Sequence, residues 1–174
     1  MLVLASRSPQ RRAILEQLGI EFEVVVPDVE ELEDGDPREM VVENALRKAR
    51  AVEGDLVLGV DTTVVVDGRS YGKPVDEGEA EATLTLLSGR SHEVWSGIAL
   101  NERTAAACTA VTFRSLDQPL LRWYLASGEW RERAGGYAIQ GRGAALVERI
   151  EGDFWNVVGL PVPELLKLAP DLLT

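Results

Sequence analysis

The chain has 174 residues, of which 45% are hydrophobic and 27% charged, and its formal net charge is −11. This length and composition exclude a disordered or fibrous protein and allow a full hydrophobic core. The acidic excess disfavours broad binding to nucleic acid or to an anionic membrane, because those partners attract a positive field. A small polyanion is still compatible, since a few focused cations or a bridging divalent metal can hold it.

The single cysteine, Cys108, excludes an internal disulfide framework. It fits a reducing compartment, where we expect such a residue to be a small core side chain. The sequence has neither a basic segment followed by a long apolar run nor an apolar stretch of the roughly 18 residues that a membrane span needs. We therefore expect a cytoplasmic protein.

A short apolar strand opens the chain and leads into a helix start that is rich in serine and arginine. Ser8 is a natural N-cap, Pro9 suits the first helical position, and Arg11 and Arg12 follow in the first turn. Because a helix N-terminus presents unpaired N–H groups and about half a unit of positive charge, this loop predicts a phosphate site. The alternative is an ordinary capped helix with two solvated arginines.

The first part of the chain alternates helices and strands. Apolar spacing and turn residues predict a helix over 9–18, a strand over 21–26, a solvated acidic loop over 28–37 and a helix over 37–52. A buried strand over 56–60 follows, and the polar residues 61–63 interrupt it before a second apolar run.

Strands pair in the second part of the chain. The pattern predicts a helix over 77–88, strands over 92–100 and 105–114 that form a hairpin, a helix over 117–126, a strand over 144–150 and a last helix from about Pro161. We therefore expect one α/β domain over 1–174, with a mixed, twisted sheet flanked by helices and two lobes around a central cleft.

Asp61 is the most informative acidic residue. A carboxylate at the exit of a buried strand is costly unless it is paired or binds a metal. It is either a metal ligand or general base, or a turn aspartate bonded to the next backbone N–H groups.

Three other polar side chains are weaker candidates. Lys48 and Lys73 could each contact a phosphate oxygen or lie in solvent. Gln140, beside Gly141 and Gly143, could contact a base edge or cap its own loop. No catalytic role is expected for His92, which has no partner at zinc-ligand spacing.

Five motifs in this order resemble the Maf family. They are LASRSPQRR at 4–12, GVDT at 59–62, GKP at 72–74, AGGYAIQG at 134–141 and VVGLP at 157–161. The resemblance covers nearly the whole chain. It implies a cytoplasmic nucleoside triphosphate pyrophosphatase, of a family once described as septum formation inhibitors, with an α/β fold similar to the inosine triphosphatases and usually a homodimer.

The resemblance also implies roles for individual residues. Asp61 matches the family's proton acceptor, and Glu31 matches the acidic residue after the second strand. The positions that match the phosphate loop and the phosphate-side lysines are Ser6, Arg11, Arg12, Lys48 and Lys73.

Three further positions follow substrate preference in the family. Thr62 and Gln140 are similar to the branch that hydrolyses dTTP and UTP, whereas the 7-methyl-GTP branch carries other residues. Gln10 departs from both branches, since the first usually has arginine there and the second tryptophan.

The mechanistic hypothesis is hydrolysis at the α-phosphorus. Asp61 activates water, Mg²⁺ or Mn²⁺ bridges Asp61 and Glu31 to the phosphates, and the products are a nucleoside monophosphate and pyrophosphate. One alternative is a regulator of cell division that binds nucleotide without turnover and acts through a protein partner. Another is a pyrophosphatase for a different base, such as that of 7-methyl-GTP.

Overall fold

A computed structural model describes residues 1–174, and its central feature is a seven-stranded mixed sheet. The strands are β1 (Leu2–Ala5), β2 (Phe22–Val25), β3 (Leu56–Val66), β4 (Arg69–Tyr71), β5 (Ser91–Leu100), β6 (Arg103–Phe113) and β7 (Val147–Glu151). The expected class of a mixed α/β sheet is confirmed.

Six α-helices flank the sheet, and no helix has both the length and the hydropathy that a membrane crossing requires. They are α1 (Pro9–Gln17), α2 (Pro37–Arg50), α3 (Glu77–Leu87), α4 (Gln118–Ala126), α5 (Phe154–Val158) and α6 (Val162–Leu168). Three short 3-10 helices cover Ala134–Gly136, Arg142–Ala145 and Pro170–Leu173. Helices α1 to α5 each begin at a serine or aspartate whose side chain accepts a hydrogen bond from a first-turn N–H group, which fixes where each helix starts.

The order of strands across the sheet leaves an opening in its middle. Strands run β2-β1-β3-β5-β6-β7, with β1 parallel to both neighbours and the other pairs antiparallel. On one edge of β3, pairing with β1 stops at Gly59, and pairing with β4 begins at Val64. Residues 60–63 therefore have no strand partner on that edge, and the cleft described below lies at this opening.

Helix α2 packs directly on the centre of the sheet. Gly59 of β3 and Gly97 of β5 lie beneath it, and a Cβ atom on either would overlap α2 backbone, at Ala45 and Val41 respectively. Two glycines on adjacent strands thus let the helix approach closely. This approach brings the polar side chains of α2 to the middle of β3.

Two large apolar clusters form the core on the shared sheet. One packs α3 and α4 against the C-terminal halves of β3 and β6 and the N-terminal half of β5, and includes Leu84, Phe113 and Tyr124. The other packs α1 and α6 against β1, the N-terminal half of β3 and the C-terminal half of β5, and includes Leu4 and Leu15.

The predicted interruption after residue 60 is wrong, because β3 is continuous from Leu56 to Val66. Its other edge pairs with β5 from Leu58 through Val65, and this ladder holds the polar residues in extended conformation. Asp61 therefore lies inside a strand and not at its exit. The strand expected to begin at 144 begins at Val147, and the sequence pattern had not indicated β4 or α5.

Cys108 also differs from the expectation, because its side chain is exposed and not in the core. The alternation of β6 turns Thr109 and Val111 inward and places Cys108 on the opposite face. Its thiol donates to Glu93 Oε2 at 3.0 Å. Partial burial and this carboxylate raise the pKa of Cys108 to about 12, so the thiol stays protonated.

Candidate active site

A cleft of about 590 Å³ lies at the open edge of β3. Its size falls within the range of small-molecule sites. The structure brings eight of the residues predicted from the sequence to its wall, namely Gln10, Arg11, Glu31, Lys48, Asp61, Thr62, Lys73 and Gln140. These residues come from α1, the acidic loop, α2, β3 and two glycine-containing loops.

The centre of the cleft is a cluster of two acids and one lysine. Lys48 Nζ lies 3.1 Å from Asp61 Oδ1 and 3.0 Å from Glu31 Oε1, and it donates to the Val60 carbonyl oxygen at 3.2 Å. The Asp61 side chain is 12% exposed and that of Glu31 is 46% exposed. Asp61 is thus a shielded, paired carboxylate, and the alternative of a turn aspartate is wrong because β3 has no turn there.

Asn44 fixes the other oxygen of Asp61, and sequence reasoning missed it. Its Nδ2 donates to Asp61 Oδ2 at 2.9 Å and to the Leu32 carbonyl oxygen at 2.9 Å, while its Oδ1 accepts from the Leu32 N–H at 2.7 Å. Asn44 therefore ties the acidic loop to β3. It precedes Lys48 by four residues on one face of α2, a spacing that could have revealed the pair.

Arg11 is a buried arginine that joins distant segments. Its Nε donates to the Gly159 carbonyl oxygen at 2.8 Å, and its two terminal nitrogens donate to Ser6 Oγ and Thr62 Oγ1, each at 3.1 Å. Burial lowers the pKa of Arg11, and the negative charges of Asp61 and Glu31 partly oppose that effect. Because an arginine side chain stays protonated in proteins, the guanidinium is a fixed positive charge beside the acidic cluster.

Two members of the expected phosphate loop do not line the cleft. Arg12 is exposed and pairs with Glu16 at 2.8 Å, because successive residues of a helix point about 100° apart and Arg11 takes the inner face. Ser6 is buried behind Arg11, where its Oγ accepts from the Ser8 N–H at 3.1 Å.

The four remaining predicted residues of the wall differ in exposure and in their partners. Lys73 is paired with Glu132 at 3.2 Å, and Gln140 is exposed. Gln10 Oε1 accepts from Ser8 Oγ at 2.7 Å, and Thr62 Oγ1 shares a 2.8 Å hydrogen bond with Ser96 Oγ. Arg133 also lines the cleft, and sequence reasoning missed it.

The acidic side chains of the cleft determine which kind of metal site it can form. No group of three histidine, cysteine, aspartate or glutamate side chains is close enough to hold an ion. Asp61 and Glu31 are two hard oxygen donors that share one lysine, and such a pair suits a cation whose other ligands come from substrate phosphates and water. The residues therefore fit Mg²⁺ or Mn²⁺ together with a substrate, and not a closed protein cage.

The fold and the cleft define an α/β protein in which acidic and basic side chains meet at an opening of the central sheet. The chain belongs to the Maf family, since the profile described as "Maf-like protein" matches residues 1–172.

Several relatives are similar over nearly their whole length. A protein of Symbiobacterium thermophilum is 49% identical over 96% of this chain and 91% of that relative. One of Thermococcus gammatolerans is 47% identical over 97% and 95%, and one of Dictyoglomus thermophilum is 41% identical over 96% and 93%. Each of the three is named dTTP/UTP pyrophosphatase.

Proposed function

We propose that this protein is a nucleoside triphosphate pyrophosphatase that hydrolyses dTTP and UTP to the monophosphate and pyrophosphate. The observation that carries the proposal is the Asp61–Lys48–Glu31 cluster beside the fixed charge of Arg11. Two carboxylates next to an anionic ligand do not favour simple binding. They are useful for activating water and for holding a divalent cation. The names of the relatives support the same reaction.

Asp61 is the proposed general base. Lys48 and Asn44 hold its two oxygens in one orientation, which leaves the remaining lone pairs of the carboxylate to accept a proton from water. The water oxygen forms a bond to the α-phosphorus while the bond from that phosphorus to the bridging oxygen breaks. Pyrophosphate then leaves with the bridging oxygen.

The cations of the cleft offset the charge of the phosphates. Arg11 and Lys48 are held rigidly, whereas Lys73 is exposed and able to exchange its partner Glu132 for a phosphate. Ser6 supports this arrangement by accepting a hydrogen bond from Arg11. Arg12, on the outer face of α1, has no contact with the phosphates in this proposal.

Asp61 and Glu31 would hold the Mg²⁺ or Mn²⁺ that this proposal includes. When bound, such an ion neutralises phosphate charge and makes pyrophosphate a better leaving group. Lys48 keeps the two carboxylates near one another before the ion binds, because one ammonium contacts both.

Base preference is proposed to depend on three side chains of the cleft wall. Gln140 offers an amide donor and acceptor that can pair with the uracil or thymine edge. Thr62 is held by Arg11 and Ser96, so it presents a fixed surface. Gln10 is the third position, where a shorter, neutral side chain replaces the arginine of the dTTP/UTP branch.

The decisive test is an assay of pyrophosphate release over dTTP, UTP, CTP, GTP and 7-methyl-GTP, each with Mg²⁺ and with Mn²⁺. We expect the largest kcat/KM for dTTP and UTP. In ¹⁸O-labelled water the label should appear in the monophosphate, and label in pyrophosphate would refute attack at the α-phosphorus. Nucleotide binding without any turnover would instead support a non-catalytic regulator.

Asp61→Asn tests the role of the base. We expect loss of at least about 10²-fold in kcat with little change in nucleotide affinity. Asp55→Asn is the matched control, because Asp55 is an exposed aspartate outside the cleft. An unchanged kcat in Asp61→Asn would remove Asp61 from this role.

The homodimer, the cytoplasmic location and the absence of nucleic-acid and membrane partners stay predictions from the sequence. Analytical ultracentrifugation tests the homodimer, which requires a mass of twice 19.0 kDa.

A further inference from the structure

Four basic side chains line the cleft, and their partners differ. Arg11 makes three hydrogen bonds, Lys48 contacts two carboxylates, and Lys73 is paired with Glu132. Arg133 is the fourth, and its side chain makes no hydrogen bond and no ion pair. It is therefore the one cation of the cleft whose side chain has no partner within the protein.

Arg133 is also partly removed from water. The residue is half-buried, and its Nε is a buried donor without a partner. Burial lowers the pKa of Arg133, and the nearby side chains of Tyr124, Glu129 and Glu132 only partly oppose this. A buried, unpaired donor on a charged group destabilises the empty protein. The two terminal nitrogens are not among the buried atoms, so they are the part of the guanidinium that an anion in the cleft could contact, and such an anion would compensate the partly desolvated charge.

The backbone places Arg133 next to Lys73. Arg133 directly precedes the 3-10 helix Ala134–Gly136, and the Gly135 N–H donates to the Gly72 carbonyl oxygen at 3.1 Å. The adjacent Glu132 carries the carboxylate that pairs with Lys73. Two segments, each with one cation facing the cleft, are thus fastened to one another.

We infer that Arg133 is a substrate-binding residue whose guanidinium hydrogen-bonds the phosphate oxygens of the bound nucleoside triphosphate. The planar fork of a guanidinium matches two oxygens of one phosphate. Thymine and uracil are neutral, so contact with the base would leave the desolvated charge uncompensated. This inference deepens the proposed function and rests on it for the nature of the ligand.

The test measures binding of inorganic tripolyphosphate, which has no base, by isothermal titration calorimetry in a buffer with Mg²⁺. We expect Arg133→Gln to raise the Kd roughly ten- to hundredfold, the range for hydrogen bonds to charged groups. Arg133→Lys should lose less, because it keeps the charge but not the fork. An unchanged Kd in Arg133→Gln would overturn the inference.

Arg131→Gln is the matched control. Arg131 is exposed, lies outside the cleft, and stacks on Trp130 at 4.6 Å from the ring centroid. Its Kd for tripolyphosphate should stay within about twofold of the wild type, since an exposed charge outside the cleft is screened by salt. If both variants bind tripolyphosphate equally more weakly, Arg133 acts only through non-specific electrostatic attraction, and the inference is also overturned. Thermal melting confirms that each variant is folded.

A second measurement separates phosphate contact from base contact. The KM for dTTP should rise in Arg133→Gln by the same factor as the Kd for tripolyphosphate. A rise for dTTP alone would assign Arg133 to the base and refute the phosphate contact. If the wild type turns over no triphosphate, the proposed function fails, and the tripolyphosphate titration still decides the role of Arg133.

Discussion

Lys48 Nζ lies 3.1 Å from Asp61 Oδ1, and the side chains of both residues are about nine-tenths buried. Lys48 comes from the fourth turn of α2 and Asp61 from the middle of β3, so the contact depends on helix and sheet packing closely. Removal of one partner from such a pair leaves an uncompensated charge, and the loss exceeds the net contribution of the intact pair.

Lys48→Met should lower the free energy of unfolding by about 3 kcal/mol, because two carboxylates then face one another without a cation. The double variant Lys48→Met/Asp61→Asn should recover more than half of that loss, since it removes the unpaired charge as well. Urea denaturation of the wild type, both single variants and the double variant measures this coupling. Strictly additive losses would show that the two groups do not interact.

Asn44→Ala should reduce kcat about 10-fold or more and change KM less, because Asn44 orients Asp61 and does not bind substrate in the proposed mechanism. Loss of its bonds to Leu32 should also lower the free energy of unfolding by about 2 kcal/mol. Glu43→Ala is the control on the same helix, since it breaks only a half-exposed pair with Arg47. Equal kcat values for the two variants would contradict the orienting role.

Glu129→Gln should loosen the loop that carries Gln140. The Glu129 carboxylate accepts from the N–H groups of Arg142 and Gly143 at 2.9 and 3.0 Å and from Tyr124 Oη at 3.1 Å. An amide offers one acceptor oxygen, so we expect a loss of about 1–3 kcal/mol in unfolding free energy. Hydrogen exchange at Gly143 should become faster. Exchange as slow as in the exposed control Glu148→Gln would refute this anchoring.

The pH dependence of stability should show a component from His92. This buried side chain shares a 2.7 Å hydrogen bond with Tyr137 Oη, and burial lowers its pKa from 6.5 to about 4. The unfolded chain therefore binds a proton at a higher pH than the folded protein. The contribution is fully present above pH 6.5 and is lost as the pH falls towards 4, by up to about 3 kcal/mol.

Urea denaturation at pH 7 and pH 4.5 measures this component. Carboxylates titrate in the wild type and in His92→Gln alike, so the difference between the two pH profiles isolates His92. Parallel profiles would show that His92 does not resist protonation in the folded protein.

Local patterns were sufficient to predict most elements. Helices α1, α2, α3 and α4 were expected within a few residues of their observed bounds, because caps and apolar spacing act within one turn. Asp61 to Thr63 was misread as a break because three polar residues in a row suggest a turn. Their extended conformation depends on β5, which lies some thirty residues further along the chain.

The site was predicted in composition better than in geometry. The lysines and acids named by the resemblance line one cleft. The resemblance could not tell Arg11 from Arg12, because their directions depend on which face of α1 is buried. The sequence did not indicate Asn44 or Arg133. Asn44 is important because it contacts Asp61, which lies 17 residues further along the chain. Arg133 is important because its Nε has no partner in the folded protein.

By itself, the amino-acid sequence determined the family, the starts of helices α1 to α4 and the set of charged residues available for chemistry, because these depend on local order and identity. The tertiary structure alone decided which charges meet, which of them face the cleft and which remain without a partner. Close packing of α2 on Gly59 and Gly97, together with the open edge of β3, sets those distances. Pairing energies change steeply with distance and burial, so they cannot be read from a linear order of residues.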